Sequence, residues 1–181
     1  KIQNIICTVF VSFGATVATF VGQNRGAGKM DRVRKGVYMT QAMILVCSFV
    51  IMGVIYSLGR YMVLIFVDPG ETDVIQAAQI YFQTVAWCYP FLGSIYLYRN
   101  ALQGMGYSLV PMLGGVFRLI ARWGIVALVA GNAGFGAVCM SDPAAWIAAL
   151  IPLIPYYFWT MRKERKKELS QGNSIVQKGA V

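Results

Sequence analysis

Enzymatic or ligand chemistry needs nucleophiles, bases, metal ligands or anion cradles, and this chain supplies few of them. Histidine is absent, which removes imidazole ligands, imidazole bases and His-containing triads. The four cysteines, Cys7, Cys47, Cys88 and Cys139, lack CxxC spacing and mostly fall in apolar runs, where a thiol behaves as a small hydrophobe. The acids are Asp31, Asp68, Glu71, Asp73, Asp142, Glu164 and Glu168, none in the middle of an apolar run. The stretch GQNRGAGK, Gly22 to Lys29, invites a phosphate-loop reading. It fails because Gln23 stands where the first Gly is required, Met30 follows the Lys, and an apolar helix rather than a strand precedes it. The alternative is a helix closing at Gly22, with Gly26 and Gly28 giving positive-φ freedom to a tight turn. No cofactor or metal is expected from these residues.

The remaining polar signals lie inside apolar surroundings. Arg118 and Arg122 are spaced i,i+4 and so share one helical face. A charge near a bilayer centre costs at least about 2.5–3.5 kcal/mol, so each needs a partner or a function. One reading is structural, a bond to a carbonyl or to a carboxylate of another helix; the other places them on a cavity wall. Gln76, Gln79, Gln83, Trp87 and Pro90 recur at three- and four-residue steps and form a stripe. Gln83 is its deeper amide, and Pro90 is expected to kink the helix. Gly14 and Ala18, and the pair Gly114 and Gly115, allow close helix contact.

The elements that must position these residues follow from composition. Of 181 residues, 57% are hydrophobic and 13% charged, with mean hydropathy +0.59, where soluble domains carry about 25% charged residues. A hydrocarbon core of about 30 Å needs roughly 20 apolar residues per helix. Five apolar stretches meet or nearly meet that length, at residues 2–22, 37–58, 77–98, 109–129 and 144–159. The expected fold class is therefore all-α, a polytopic membrane domain over residues 1–161 followed by a basic tail, 162–181, that becomes disordered beyond Ser170.

The net charge of +9 reads as orientation rather than nucleic-acid binding. Arg25, Lys29, Arg32, Arg34 and Lys35 fill the first linker, Asp68, Glu71 and Asp73 the second. Arg99 opens the third, Asp142 closes the Gly-rich fourth, and RKERKKE opens the tail. Basic and non-basic sides alternate, which puts the first linker, the third linker and the carboxy-terminus in the cytoplasm. The tail also suits an anionic-lipid anchor, with Tyr156, Tyr157 and Trp159 as an aromatic belt. The chain opens on Lys1 and an apolar run, as expected of a piece of a longer polypeptide.

Three stretches carry a family resemblance. FVGQNRGAGKMDRVRKG, from Phe20, resembles the helix-end motif VGQN.GAG..dR..k of multidrug and toxic compound extrusion (MATE) transporters, matched here by Gly22, Gln23, Asn24, Gly26, Gly28 and Arg32. LIFVDPGETDVIQAAQIYF, from Leu64, resembles the family's lF...evi..a..Yl approach to the next helix. YLYRNALQGMGYSLVPMLGGVFRLIAR, from Tyr96, is similar to R..LQG.G.s..P...g..rli.R, which matches Arg122 better than Arg118. Within it Gly104, Gly106 and Pro111 join Pro90 as hinge or kink candidates.

The resemblance implies the second to sixth helices of the carboxy-terminal lobe of a twelve-helix antiporter. Such a protein exchanges cationic or amphipathic compounds for Na+ or H+ by alternating access in a prokaryotic plasma membrane. Gln83, Arg118 and Arg122 would then line the substrate cavity. Expected partners are membrane lipids, a small-molecule substrate and the missing amino-terminal lobe; the coupling-ion site would lie outside this chain, which has no mid-span carboxylate. A flippase for lipid-linked saccharide or peptidoglycan precursors is the nearest alternative, because mid-membrane arginines suit a diphosphate. A membrane-embedded lipid enzyme lacks the clustered nucleophile, base or metal site it would need.

Overall fold

A computed structural model describes residues 1–129 and 139–178, and in these the regular structure is entirely helical. The helices are α1 (Ile2–Gly26), α2 (Met30–Leu64), α3 (Thr72–Ala86), α4 (Tyr89–Gly104), α5 (Leu109–Val129) and α6 (Ser141–Lys178). Three of them, Ile2–Gly26, Met30–Leu64 and the Ser141–Glu168 part of α6, are long and apolar enough to cross a membrane. Most of the Gly-rich fourth linker and the last three residues lie outside the described residues.

Helix ends depart from the sequence reading in four places. α1 runs through Gly22, Gln23, Asn24 and Gly26, so the turn shrinks to Ala27–Lys29 and Arg32 sits inside α2. Of the turn glycines only Gly28 takes a positive φ, +68°; Gly26 is helical and needs none. α2 reaches well beyond 37–58 at both ends, because apolarity marks the membrane-facing stretch while charged residues continue a helix freely.

The expected single helix over 77–98 is two. α3 stops at Ala86, the chain turns through Trp87 and Cys88, and α4 begins with Pro90 in its first turn. Proline has no N–H to offer the Ala86 carbonyl and its ring collides with that group, so the strain is relieved by a break one turn earlier instead of a kink at Pro90. Finally, α6 continues as helix to Lys178, where an irregular tail is expected. RKERKKE is rich in good helix formers and carries an i,i+3 pair, Lys167 Nζ to Glu164 Oε1 at 3.1 Å. Pro152 and Pro155 are accommodated within that helix.

α4 is the centre of the bundle, touching α1, α2, α5 and α6, while α3 leans on α2 and α5 on α6. Its contact with α1 is the closest because small residues face each other. A Cβ on Gly104 would lie 2.5 Å from the Ala18 carbonyl oxygen and 3.1 Å from its Cα, and one on Gly93 would collide with Phe10 and Ile44. Phe10, Val21, Tyr89, Leu92, Leu97, Leu102, Trp146 and Leu153 fill the core around this seam. Across the membrane stretch of α2, by contrast, only 17% of residues are buried. Among the described residues that apolar surface has no partner, and it is matched to lipid or to other protein.

Gly104→Ala should lower the melting temperature of the purified protein in detergent, since overpacking against backbone atoms costs about 1–3 kcal/mol. Gly115→Ala, where an added Cβ meets nothing within 4 Å, should leave it nearly unchanged.

Candidate functional site

Polar groups collect at two ends of the bundle. At one end the turn after α1, the turn after α4 and the α6 extension converge on Glu164. This carboxylate is buried, although it belongs to a strongly basic segment. Tyr107 donates its hydroxyl to Oε1 at 2.8 Å, Lys167 donates at 3.1 Å, and Arg25 Nε approaches Oε2 at 3.5 Å. Arg25 also donates to the Met105 carbonyl and lies over the Tyr107 ring, 5.6 Å from its centroid. Next to it, the Met30 amide at the open start of α2 donates to Glu168 Oε1 at 3.0 Å, satisfying one orphan donor. Gly106, at φ +78°, lets the chain turn under Arg25.

Burial by itself would raise the Glu164 carboxyl, but the Tyr107 hydroxyl, Lys167 and Arg25 outweigh it and hold the group below its ordinary value. Tyr107 moves the opposite way, pushed up by burial and by donating to the carboxylate.

At the other end α1, α3, α5 and α6 meet around Asp142. Tyr81 donates its hydroxyl to Oδ2 at 3.2 Å and also to Gln3, and Arg122 Nη2 stands 3.5 Å from Oδ1. Lys1 lies over the Phe66 ring at 5.8 Å, which puts the second linker at this end as well. Gln3 and Arg25 are about 33 Å apart along α1 at the helical rise of about 1.5 Å per residue, close to a hydrocarbon core.

The sequence-selected residues do not come together as one site. Arg122 is engaged by Asp142 at the second end. Arg118 is half-buried on the same helix, within electrostatic range of Cys7, and among the described residues it has no carboxylate within 4 Å. Gln83 borders α2: its backbone carbonyl accepts from the Tyr56 hydroxyl at 3.3 Å, and Trp87 Nε1 donates to that hydroxyl at 2.9 Å. The groove it borders, with Gln79 and Arg60, holds only about 70 Å³. Pro90 caps the start of α4, and its carbonyl accepts from Ser94 at 2.7 Å; Pro111 sits in the first turn of α5, where it costs no helical bond. Gly104 serves close packing and Gly22 lies against the Gly104 carbonyl.

A wall of hydroxyls escaped the sequence reading. Thr8, Ser12 and Thr16 recur every fourth residue on the outward side of α1, each donating at 2.9 Å to the carbonyl four residues back. Ser12 and Thr16, with Val9, Phe13, Thr40 and Met43, line a groove of about 440 Å³ between α1 and α2. The spacing was available in the sequence, but Ser and Thr in an apolar helix carry no charge to draw notice. Such a surface can take an apolar body and offer hydroxyl oxygens to a polar edge.

The Glu164 cluster makes stability depend on pH. Because its folded value is depressed below the ordinary 4.5, its contribution is fully present above that pH and is lost as pH falls through the folded value. Melting of wild type and Glu164→Gln, compared from neutral pH downward, should show a stability gap that closes in that acidic window; a gap independent of pH would remove the carboxylate from the account.

Comparison with known proteins agrees with this architecture. The family model MatE matches residues 1–128. A similar curated protein is the probable multidrug resistance protein YpnP of Bacillus subtilis (strain 168), 26% identical over 123 residues, which are 68% of this chain and 26% of that protein. The chain thus spans about a quarter of that relative's length. No solved structure matches. With the family model covering α1 to nearly the end of α5, and with helices apolar enough to cross a bilayer, this chain belongs to the MatE family of multi-pass membrane transporters.

Proposed function

We propose that the chain forms most of one six-helix lobe of a twelve-helix secondary antiporter. It would export cationic or amphipathic compounds in exchange for Na+ or H+ by alternating access. The observation that carries this reading is the placement of the ion pairs, among the described residues, at two ends about one membrane thickness apart, with the hydroxyl-lined apolar groove of α1 and α2 between them. Five crossings follow if the broken pair α3 and α4, each too short to span alone at 15 and 16 residues, counts as one discontinuous helix.

In this reading the Glu164 end faces the cytoplasm of a prokaryotic cell and the Asp142 end faces outward, in keeping with the basic first linker and tail. The membrane in question would be the plasma membrane. Ser12, Thr16 and Arg118 line the path, Arg122 is held at its outer end, and Gln83 belongs to the α2–α3 wall. The break at Trp87–Cys88 and the turn at Gly106 allow the helices around Pro90, Gly104 and Pro111 to reorient. All seven acids lie in the end regions, so the coupling carboxylate would belong to the other lobe. Arg118, without an ion pair among the described residues, favours a second reading, a flippase for a diphosphate-linked lipid.

Thr16→Trp in the complete transporter fills the groove, and a penalty of about 1–3 kcal/mol on substrate fit corresponds to roughly tenfold slower ethidium efflux. Thr16→Ser should keep it. Wild-type efflux by a normally expressed Thr16→Trp protein would contradict the assigned path, and lipid-precursor translocation without efflux would favour the flippase.

A further inference from the structure

The α6 extension divides its charges between two faces. Glu164, Lys167 and Glu168 turn toward the α1–α2 and α4–α5 turns. Arg162 and Arg165 border a pocket of about 210 Å³ shared with Arg34 and Tyr38 of α2 and with Phe158 and Met161 of α6, and on their other side a hollow shared with Lys163 and Lys166 that no α2 residue lines. Three guanidiniums from two helices thus bound one small cavity, and among the described residues none of the three has a carboxylate within 4 Å. Asp31 also lines the pocket.

The lining is graded along the helices. Tyr38 lies one turn beyond Arg34, and Phe158 one turn before Arg162, so both rings sit about 5–6 Å nearer the apolar stretch than the arginines. Each ring is substantially exposed. The pocket therefore joins a cationic mouth to an aromatic floor that runs onto unpartnered apolar surface, and α2 and α6 meet only over a short stretch there. A free phosphate would use the guanidinium forks, which match its oxygens, but would leave the aromatic floor empty. A lipid would use both, and basic pockets between helices at a membrane surface suit anionic head groups. Asp31 disfavours multiple negative charges while its oxygens can accept from hydroxyls, which selects a monoanionic phosphodiester with a polyol head.

We propose that the pocket formed by Arg34, Tyr38, Phe158, Arg162 and Arg165 is a specific site for one phosphatidylglycerol-type lipid, bridging α2 to the α6 extension. The site is distinct from the general attraction of the tail for an anionic surface. It stands independently of the transported substrate, since it lies outside the hydroxyl groove. The bound lipid would fix the α6 extension against α2 on the side that Glu164 does not reach.

The full-length protein in detergent can be titrated with dioctanoyl phosphatidylglycerol while its melting temperature is followed. Dioctanoyl phosphatidylcholine and glycerol phosphate serve as the zwitterionic and the free-anion probes. Phosphatidylglycerol should raise the melting temperature saturably and the other two should not. Arg162→Gln/Arg165→Gln should weaken its apparent affinity by about tenfold or more, whereas Lys163→Gln/Lys166→Gln, the same charge loss on the same helix, should weaken it about threefold or less. Arg165→Lys, which keeps charge and helix but loses the fork, should fall between and guards against a folding defect in the double variant. Equal weakening by the two double variants would reduce the effect to diffuse electrostatics and overturn the site. An equal shift from glycerol phosphate, or none with phosphatidylglycerol, would overturn the lipid assignment.

Discussion

The carboxylate of Glu164 is the constraint on which one end of this protein depends. A buried acid must be paired or neutral, because removing an unpaired charge from water costs several kcal/mol. Here the charge is kept, and the groups that keep it come from three places in the chain: Arg25 from the end of α1, Tyr107 from the turn after α4, Lys167 from α6 itself. Their common partner fixes where α1 and α4 end relative to the α6 extension. Arg25 adds a bond to the Met105 carbonyl, so the guanidinium also closes the α4 end.

That closure works only because α1 and α4 can approach closely enough. Gly104 has no room for a side chain against Ala18, and Gly14 is similarly tight against Asn100. In lipid, helices gain little from apolar burial and associate through close van der Waals contact and polar bonds. The small-residue seam supplies the first and the Glu164 and Asp142 clusters supply the second, one at each end. Among the described residues no ion pair falls between the two ends, where the hydroxyl groove of α1 and α2 runs.

Much of this was legible in the residues. Alternating charge in the linkers anticipated that the first linker, the third linker and the start of the tail share one end, as the Arg25, Tyr107 and Glu164 contacts show. The GQNRGAGK stretch points to a turn, and that turn carries a glycine with positive φ, Gly28; Gly106, a hinge or kink candidate, takes a positive φ in the turn after α4. Other features depend on information that apolar patterning does not hold. Hydropathy over 77–98 is unbroken, so only Pro90 hinted at an interruption, and where the strain is released depends on the preceding turn. Helix ends were misplaced because the apolar boundary and the hydrogen-bonded boundary are different physical limits. Thr8, Ser12 and Thr16 give no sequence signal, since their hydroxyls satisfy themselves on their own helix.

The central claim is that Glu164 gathers the turn after α1, the turn after α4 and the α6 extension at one end of the bundle, the end proposed to face the cytoplasm. Single cysteines at Ala27, Ser108, Lys166 and Gly70, in a background lacking the four native cysteines, can be probed with a membrane-impermeant maleimide in intact cells and in inverted vesicles. The account predicts labelling of Gly70→Cys only in intact cells and of the other three only in inverted vesicles. Labelling of any of those three from the same face as Gly70→Cys would contradict it.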